Sequence, residues 1–354
     1  MKNQASQLNF FEKQSPYIIA EIGANHNGDL QLALDLVEEA AKVGCDCVKF
    51  QSWNRDLFAD EIYERNSFLE DGRELDGNLE ELVNLYSVSF DQLKVIRAHC
   101  EKFKIDFSSS VFTPQQVDEI QELSPAFIKI ASMDLNNDFL ITKVAETGLP
   151  VVMSTGLSSL EEVAHAVSTF EKSGNKKLCL LHCKAVYPPK DEEIDLNNIH
   201  LLLTAFGYPV GFSDHTLGIE IGLASFAYGA CVYERHFTSS KDLEGWDHAT
   251  SADPEDMRKI VTGAQRISKA RGTYQRRVSN EEIEMRRAFR RSIVAGKTIL
   301  KGVKITADML DYKRPGTGIS PNRSAEIIGR VAAADIDQGK LIKASDLLGG
   351  LGRC

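Results

Sequence analysis

The sequence predicts a closed (β/α)8 barrel followed by a small β-rich domain. Over the first three quarters of the chain, short β-branched or apolar runs alternate with longer amphipathic runs that carry helix start and stop signals. There are about eight of the short runs, the number such a barrel needs. After Gly272 the alternation stops, and a charged stretch leads into short strand-like runs punctuated by glycine. At 354 residues the chain is too long for one small module and suits a large barrel with an appendage.

The candidate strands are residues 17–22, 47–51, 106–110, 127–131, 150–154, 178–183, 209–213 and 231–235. The intervening helices carry their own punctuation. Asp29 can cap a helix running to Val43 that Gly44 ends, and Thr113-Pro114 opens another with proline in its first turn. Residues 137–147 end at Gly148, residues 158–173 end at Gly174, and the helix opened by Asp253-Pro254 runs to Arg271 before Gly272. The acidic stretch from Trp53 to Tyr86, with Gly72 and Gly77, is longer than a strand-to-helix connection and reads as a functional loop over the barrel mouth. This assigns residues 1–274 to the barrel, 275–290 to a linker and 291–354 to the tail. In the tail, Val294-Ala295, Ile299, Gly302, Ile305 and Ala307 recur as Val331-Ala332, Ile336, Gly339, Ile342 and Ala344, which suggests a β module of two similar halves.

Hydrophobic residues make up 43% and charged residues 26%, so the chain can bury a large core and is not disordered. A net charge of −10 argues against a nucleic-acid or anionic-membrane surface but leaves room for a local basic pocket and a small anionic substrate. The first 14 residues contain no signal-peptide core, and no run approaches the ~18 apolar residues of a membrane span. Seven cysteines, an odd number and mostly within apolar runs, read as buried thiols of a cytoplasmic protein. Cys45 and Cys47 lack the second Cys/His pair that a zinc site needs.

Barrels of this kind carry their sites at the carboxyl ends of the strands, so the polar residues closing each strand are the informative ones. Glu21 runs into Gly23-Ala24-Asn25-His26-Asn27-Gly28. Lys49 and Gln51 close the second strand, Ser109 and Ser110 the third, Lys129 and Ser132 the fourth, and Ser154-Thr155-Gly156 the fifth. His182 and Lys184 close the sixth, Ser213-Asp214-His215 the seventh, and Glu234-Arg235-His236 the eighth. His215 and His236 fall at equivalent ends of neighbouring strands, close enough to share a divalent cation and leave positions open for water and substrate. The adjacent acids Asp214 and Glu234 are of the kind that orient metal-bound imidazoles; the alternative is two histidines hydrogen-bonded at a strand rim.

Lys49 and Lys129, with hydroxyls from Ser110, Ser132, Ser154, Thr155 and Ser213, suit a phosphate plus a carboxylate. An unpaired buried ammonium is costly, so structural pairing with Glu21 or Glu234 is the competing account, and a Schiff-base lysine is a third. Glu21 can act as a general base or hold sugar hydroxyls, and Asp247 in Gly245-Trp246-Asp247-His248 can serve a water beside the metal.

Together, the run from Ala20 to Gly28, Val48-Lys49-Phe50-Gln51, Lys129-Ile130-Ala131-Ser132, Ser154-Thr155-Gly156, Ser213-Asp214-His215 and Glu234-Arg235-His236-Phe237 resemble the sialic acid synthase family. The likeness covers nearly the whole chain. The tail, with Lys313-Arg314-Pro315-Gly316 and Gly329-Arg330-Val331-Ala332, is similar to the antifreeze-like SAF domain that ends these synthases. The resemblance implies condensation of phosphoenolpyruvate with N-acetylmannosamine or a related 2-acetamido sugar, giving a nine-carbon 2-keto acid and phosphate. It implies a divalent metal at His215 and His236, Mn2+ first with Mg2+ or Co2+ as alternatives, and Glu21 and Asp247 as further catalytic groups. Phosphoenolpyruvate would be cradled by Lys49, Ser110, Lys129, Ser132, Ser154 and Ser213, and the sugar contacted by Gln51, Asp134, Tyr187 and Arg314. In this family the SAF domain of one subunit caps the other's barrel, so a domain-swapped homodimer is expected, with Arg314 reaching the sugar's N-acyl group.

Three departures bear on the sugar. Cys183 is followed by Lys184-Ala185 where relatives usually have Thr and then a small or amide residue; the acid after Ser132 is Asp134 instead of Glu; and Arg290-Arg291 stands near a position where relatives carry Phe. A 2,4-diacetamido-6-deoxy sugar, giving legionaminic or pseudaminic acid, and the sugar 6-phosphate therefore stay open as acceptors. A Schiff-base aldolase using Lys129 or Lys184, and a carbohydrate- or ice-binding role of the tail, are the readings outside this chemistry.

Overall fold

The computed structural model describes residues 15–59, 67–70, 73–76 and 79–351. They form two compact units that divide after Gly272. In the first, β1 (Tyr17–Glu21), β2 (Cys47–Gln51), β5 (Asp106–Ser110), β6 (Ile128–Ile130), β7 (Val151–Ser154), β8 (Leu178–Cys183), β9 (Val210–Asp214) and β10 (Val232–His236) pair in parallel and in that order. β10 returns to β1, with Glu21 opposite His236, and closes the barrel. Between β2 and β5 lie the hairpin β3 (Ser67–Glu70) and β4 (Arg73–Asp76), then helices α2 (Leu79–Tyr86) and α3 (Phe90–Phe103).

The expected caps are present. Asp29 accepts hydrogen bonds from the N–H groups of Gln31 and Leu32 at the start of α1 (Leu30–Val43), and Gly44 ends it at φ +93°. Thr113 and Gln116 cap each other's backbone at the start of α4 (Pro114–Glu122). Asn137 opens α5 (Asp138–Glu146), Ser159 opens α6 (Leu160–Glu171), and α7 (Asn197–Phe206) and α8 (Glu220–Ala227) follow β8 and β9. Asp253 opens α9 (Pro254–Arg271). Among the described residues, no helix is long and apolar enough to cross a membrane.

Strand alternation sets the barrel interior. Tyr17, Ile19, Cys47, Phe127, Val152, Cys179, Leu181 and Val232 form an apolar plug inside the sheet. The same faces continue one step toward the carboxyl ends as Glu21, Lys49, Ser110, Lys129, Ser154, Cys183, Ser213 and Glu234, one residue from each strand. The intervening residues face the helices and build the larger core outside the sheet, with Ile18, Val48, Phe107 and Phe212. Cys45 belongs to that outer core and Cys47 to the plug. Cys45, Cys47, Cys100, Cys179, Cys183 and Cys231 are all free thiols, buried apart from the half-buried Cys231.

In the second unit, part of the expected linker is helix α10 (Asn280–Phe289), opened by a capping box between Ser279 and Glu282. β11 (Ser292–Ala295) pairs antiparallel with β12 (Leu310–Lys313). The two sequence repeats, 37 residues apart (Val294 and Val331), are related by a local two-fold. Ile299 and its counterpart Ile336 exchange both backbone hydrogen bonds, at 2.9 and 2.8 Å. Gly302 N–H donates to Ala332 O while Gly339 N–H donates to Ala295 O, and the 3-10 turns Ala307–Met309 and Ala344–Asp346 match. Each half is too small to bury its own isoleucines; together they enclose Ile293, Ile299, Ile305, Ile336 and Ile342.

Candidate active site

The polar layer closing the plug lines a cavity of about 240 Å³ at the carboxyl end of the barrel. Lys49 Nζ is paired with Glu21 Oε2, donates to Ser110 Oγ at 3.0 Å and lies 3.8 Å from Glu234 Oε2. Lys129 Nζ donates to Ser154 Oγ at 2.6 Å and to the Ile130 carbonyl at 2.9 Å. Ser213 Oγ donates to Glu234 Oε1 at 3.0 Å, and Gln51 Nε2 to Glu21 Oε1 at 3.2 Å. Ser132 Oγ accepts from the Gly156 N–H at 3.1 Å.

Burial shapes the charges of this floor. It pushes the Glu21 carboxyl above its ordinary value against the pull of Lys49, and it pushes the Lys129 ammonium down, with Glu234 only partly offsetting it. Burial works against Glu234 and Lys49 too, yet Lys49 and Lys129 keep the Glu234 carboxyl below its ordinary value, and Glu21 and Glu234 keep the Lys49 ammonium above its own. The result is two carboxylates interleaved with two ammonium groups at the bottom of a cleft, where an entering anion would compete for both cations.

His215 and His236 stand above this layer with ring centroids 5.7 Å apart. His215 Nδ1 donates to the Lys184 carbonyl at 2.8 Å, leaving Nε2 as the nitrogen with a free lone pair. Burial holds His236 down to about 4, so its imidazole is neutral, and its buried Nδ1 has no hydrogen-bond partner although Asp247 Oδ2 lies 3.3 Å away. Burial also raises the Asp247 carboxyl to about 6. His215 differs, since burial works to lower it but the neighbouring Cys183 keeps its imidazole above its ordinary value. Each ring still presents a nitrogen without a protein hydrogen-bond partner, and such a pair of imidazoles fits a divalent cation. No group of three or more His, Cys, Asp or Glu side chains able to hold a metal forms among the described residues.

The expectation that Asp214 and Glu234 orient the histidines is overturned by the alternation of the strands. Asp214 faces the helix layer, where it accepts from Thr216 N–H and Oγ1 (2.9 and 2.7 Å), Tyr233 OH (2.7 Å) and Arg235 NH1 (3.0 Å). Glu234 faces inward, to Ser213 and Lys49. His182 also faces the helix layer, donating to the Ile194 carbonyl at 2.6 Å. Thr155 Oγ1 is committed to the Leu181 carbonyl at 2.9 Å. Lys184 is half-exposed, 3.4 Å from Asp195 Oδ2, and lines neither cavity of the site.

A second cavity of about 310 Å³ adjoins the first and shares Gln51, Met133, Tyr187 and His236 with it. Trp53, Tyr86 and Trp246 wall it, and Asp247 stands on its edge. Tyr187 packs tilted against His215 with ring centroids 4.1 Å apart and planes at 33°, and the Trp246 ring lies 5.4 Å from that of Trp53 and 5.5 Å from that of Tyr86. The loop expected over the mouth thus contributes Trp53 and Tyr86 from its two ends; residues 60–66, 71–72 and 77–78 lie outside the described residues. Sequence reasoning located that loop by its length without selecting its aromatic residues, and chose Asp247 over its neighbour Trp246.

The Asn25-His26-Asn27-Gly28 motif anchors the opposite wall. Asn25 Nδ2 donates to the Phe237 carbonyl and to Ser251 Oγ, Ser251 Oγ donates to the Asp247 carbonyl at 2.7 Å, and Asn27 Nδ2 donates to the Glu244 carbonyl at 2.8 Å. His248 bonds Asn27 Oδ1 at 3.2 Å and Thr238 Oγ1 at 2.7 Å. Asp134 lines neither cavity; its Oδ1 accepts from Asn137. Arg314 belongs to the second unit, exposed, with its guanidinium 5.3 Å from the centre of the Phe289 ring.

A model of the NeuB family matches residues 36–276, and a SAF domain model matches residues 290–348. The chain belongs to the NeuB family. This NeuB-family chain is 36% identical over 328 residues to an N,N'-diacetyllegionaminic acid synthase of Campylobacter jejuni, covering 92% of this chain and 98% of the relative. It is 34% identical over 327 residues to the enzyme of the same name from Legionella pneumophila, covering 91% and 92%. The crystal structure of N-acetylneuraminic acid (sialic acid) synthetase from Leptospira borgpetersenii, in complex with citrate, superposes with a TM-score of 0.68 at 34% identity, covering 78% of this chain and 93% of that one. These names agree with the resemblance carried by the strand-end motifs.

Proposed function

We propose that the barrel condenses phosphoenolpyruvate with an N-acetylated amino sugar, N-acetylmannosamine being the default acceptor, to a nine-carbon 2-keto acid and phosphate. The observation that carries the reading is the inner cavity, where Lys49, Lys129 and the hydroxyls of Ser110, Ser132, Ser154 and Ser213 converge on a space of about 240 Å³ beneath two histidines. That donor set suits a small molecule carrying both a phosphate and a carboxylate. The adjoining outer cavity takes the sugar, with Gln51 and Tyr187 at the junction.

C3 of phosphoenolpyruvate forms the new bond to the aldehyde carbon, whose oxygen takes a proton from solvent water, and C2 is left with cationic character. Water adds at C2, giving one proton to the Glu21 carboxylate that Gln51 and Lys49 hold in place. The bond from C2 to the phosphate-bearing oxygen then breaks as the new C2 hydroxyl passes its proton to the departing phosphate, leaving the C2 ketone. The lysines bind the departing phosphate's charge throughout. A divalent metal at His215 and His236, Mn2+ first, would supply Lewis-acid polarisation of the aldehyde. Asp247, beside His236, would order the sugar's hydroxyls or a water. The family reading further predicts a cytoplasmic homodimer in which Arg314 reaches the acceptor held by a second copy.

The test is phosphate release from phosphoenolpyruvate by chelator-stripped protein, with and without Mn2+, across N-acetylmannosamine, its 6-phosphate and a 2,4-diacetamido-6-deoxy sugar. Metal-dependent release with an acceptor supports the reading; silence with all of them counts against it. The lowered Lys129 ammonium also favours a Schiff-base aldolase as a second reading. Borohydride trapping of pyruvate on Lys129, indifferent to chelator, would establish that one instead.

A further inference from the structure

Asn25 lines neither cavity of the site, yet its side chain is tied to the backbone on both sides of the His236–Asp247 contact. Residues 238–251 leave the barrel after β10 and return to it, their two ends meeting where Phe237 bridges to Ala252 and the Ala252 N–H donates to the His236 carbonyl at 2.8 Å. Asn25, 0% exposed, lies against both ends. Its Nδ2 donates at 2.9 Å to the carbonyl of Phe237, the residue after His236, and at 2.8 Å to Ser251 Oγ, which in turn donates to the Asp247 carbonyl at 2.7 Å. A carbonyl can only accept, so the Phe237 contact fixes which way round the amide stands, and Oδ1 is left buried without a partner. Between these ties Asp247 Oδ2 stands 3.3 Å from His236 Nδ1.

We propose that Asn25 is a positioning residue: by holding the backbone behind His236 and behind Asp247 with one planar amide, it sets the Asp247 carboxyl against the His236 imidazole and so fixes that ring for a divalent cation. The inference rests on the reading of His215 and His236 as metal ligands. A metal-bound imidazole keeps its orientation through the group that faces its other nitrogen, and losing such a group typically lowers metal affinity or activity by about 10–100-fold. The amide suits the task because its two N–H groups diverge from one nitrogen at a fixed angle and bring no charge into the buried layer. The orphaned Oδ1 shows that the amide is placed for its donors, since a buried acceptor without a partner is unfavourable.

Asn25→Asp keeps the side chain's shape and removes both donors. Full-length protein is stripped of metal and titrated with Mn2+, the free ion being read by electron paramagnetic resonance, which needs no turnover. Asn25→Asp should bind Mn2+ about 10–100-fold more weakly and lose kcat for phosphate release to a similar degree, with the dissociation constant of phosphoenolpyruvate unchanged. Ser251→Ala, which removes only the hydroxyl link to Asp247, should show the same pattern at smaller size and serves where the aspartate variant does not fold. Asn175→Asp is the control for a purely structural loss. Asn175 is also buried and donates to two carbonyls, of Ala145 at 3.2 Å and Leu149 at 2.9 Å, beside the amino end of β8. This variant should lower the melting transition while leaving Mn2+ affinity and kcat as in the wild type. If Asn25 acts through Asp247, Asn25→Asp should add less than about threefold to the loss of kcat in Asp247→Asn. Unchanged Mn2+ affinity in Asn25→Asp and Ser251→Ala, an equal loss in Asn175→Asp, or full additivity with Asp247→Asn would overturn the proposal with the metal site intact. Wild-type protein that takes up no Mn2+ would defeat the metal assignment itself, and the inference with it.

Discussion

The Asp214–Arg235 pair offers a sharp test of how the histidines are held. Each residue immediately precedes a histidine of the site, and each is turned to the helix layer, with side chains 0% and 3% exposed. Asp214 accepts four hydrogen bonds, and Arg235 NH2 adds one to the Thr216 carbonyl at 2.6 Å, so the turn bearing His215 is tied to the strand bearing His236. Asp214→Ala strands a guanidinium in a dry layer, and breaking a buried pair in this way costs about 3–5 kcal/mol. For a unit of this size, roughly 2–4 °C per kcal/mol converts this to a lowering of about 6–20 °C in the barrel's melting transition. Adding Arg235→Met removes the stranded charge and should restore all but about 2 kcal/mol, since an apolar replacement of the whole pair is close to neutral. Calorimetry and far-ultraviolet circular dichroism on the full chain, completed as a double-mutant cycle, measure both numbers. A single-mutant cost below about 1 kcal/mol, or a double mutant as unstable as the sum of the singles, would refute the reasoning.

Three further outcomes are expected. His215→Ala and His236→Ala should each reduce turnover by more than ~100-fold, beyond the loss caused by removing a mere neighbour of a metal ligand, with the melting transition little changed; near-normal activity in either variant removes the metal assignment. His26 is buried on Phe50 and its pKa is depressed by burial to about 4, so the unfolded chain binds the extra proton first. Its contribution to stability is therefore full above pH ~6.5 and lost as pH falls toward ~4, about 3 kcal/mol in all, and His26→Gln should flatten that part of a urea-stability profile against pH. Gly28 sits at φ +74° with a Cβ position only 2.3 Å from the Leu85 carbonyl oxygen. Gly28→Ala should cost more than ~1 kcal/mol and, by displacing the segment that carries Tyr86, raise KM for the sugar and not for phosphoenolpyruvate; equal changes in both constants would contradict the two-cavity arrangement.

The barrel was legible because its signals are local. Asp29, Thr113, Asn137 and Asp253 cap helices through bonds to residues two or three positions away, and the glycines that end them need only their own backbone. The charged linker hid a helix because the large apolar residues of α10 are only Ile283, Met285 and Phe289, none of them buried, too few to show a repeating stripe among its charges. Asp214 and His182 were misread as facing the site for a different reason. A parallel strand buried on both sides reads as one apolar run, and the sequence does not say which alternate set looks inward. The aromatic walls of the outer cavity escaped because Trp53, Tyr86 and Trp246 come from distant parts of the chain.

By itself, then, the sequence determined the number of strands, the caps between them and the layer of polar residues at the strand ends, all consequences of hydrogen bonding and periodicity within a few residues. Barrel closure decided what those residues do. Pairing β10 with β1 brings Glu21 level with His236, and the common parity of eight strands gathers Lys49, Lys129, Glu21 and Glu234 into one buried, charge-balanced floor. Side-chain direction and charge balance depend on the neighbouring strands, which only the closed sheet supplies.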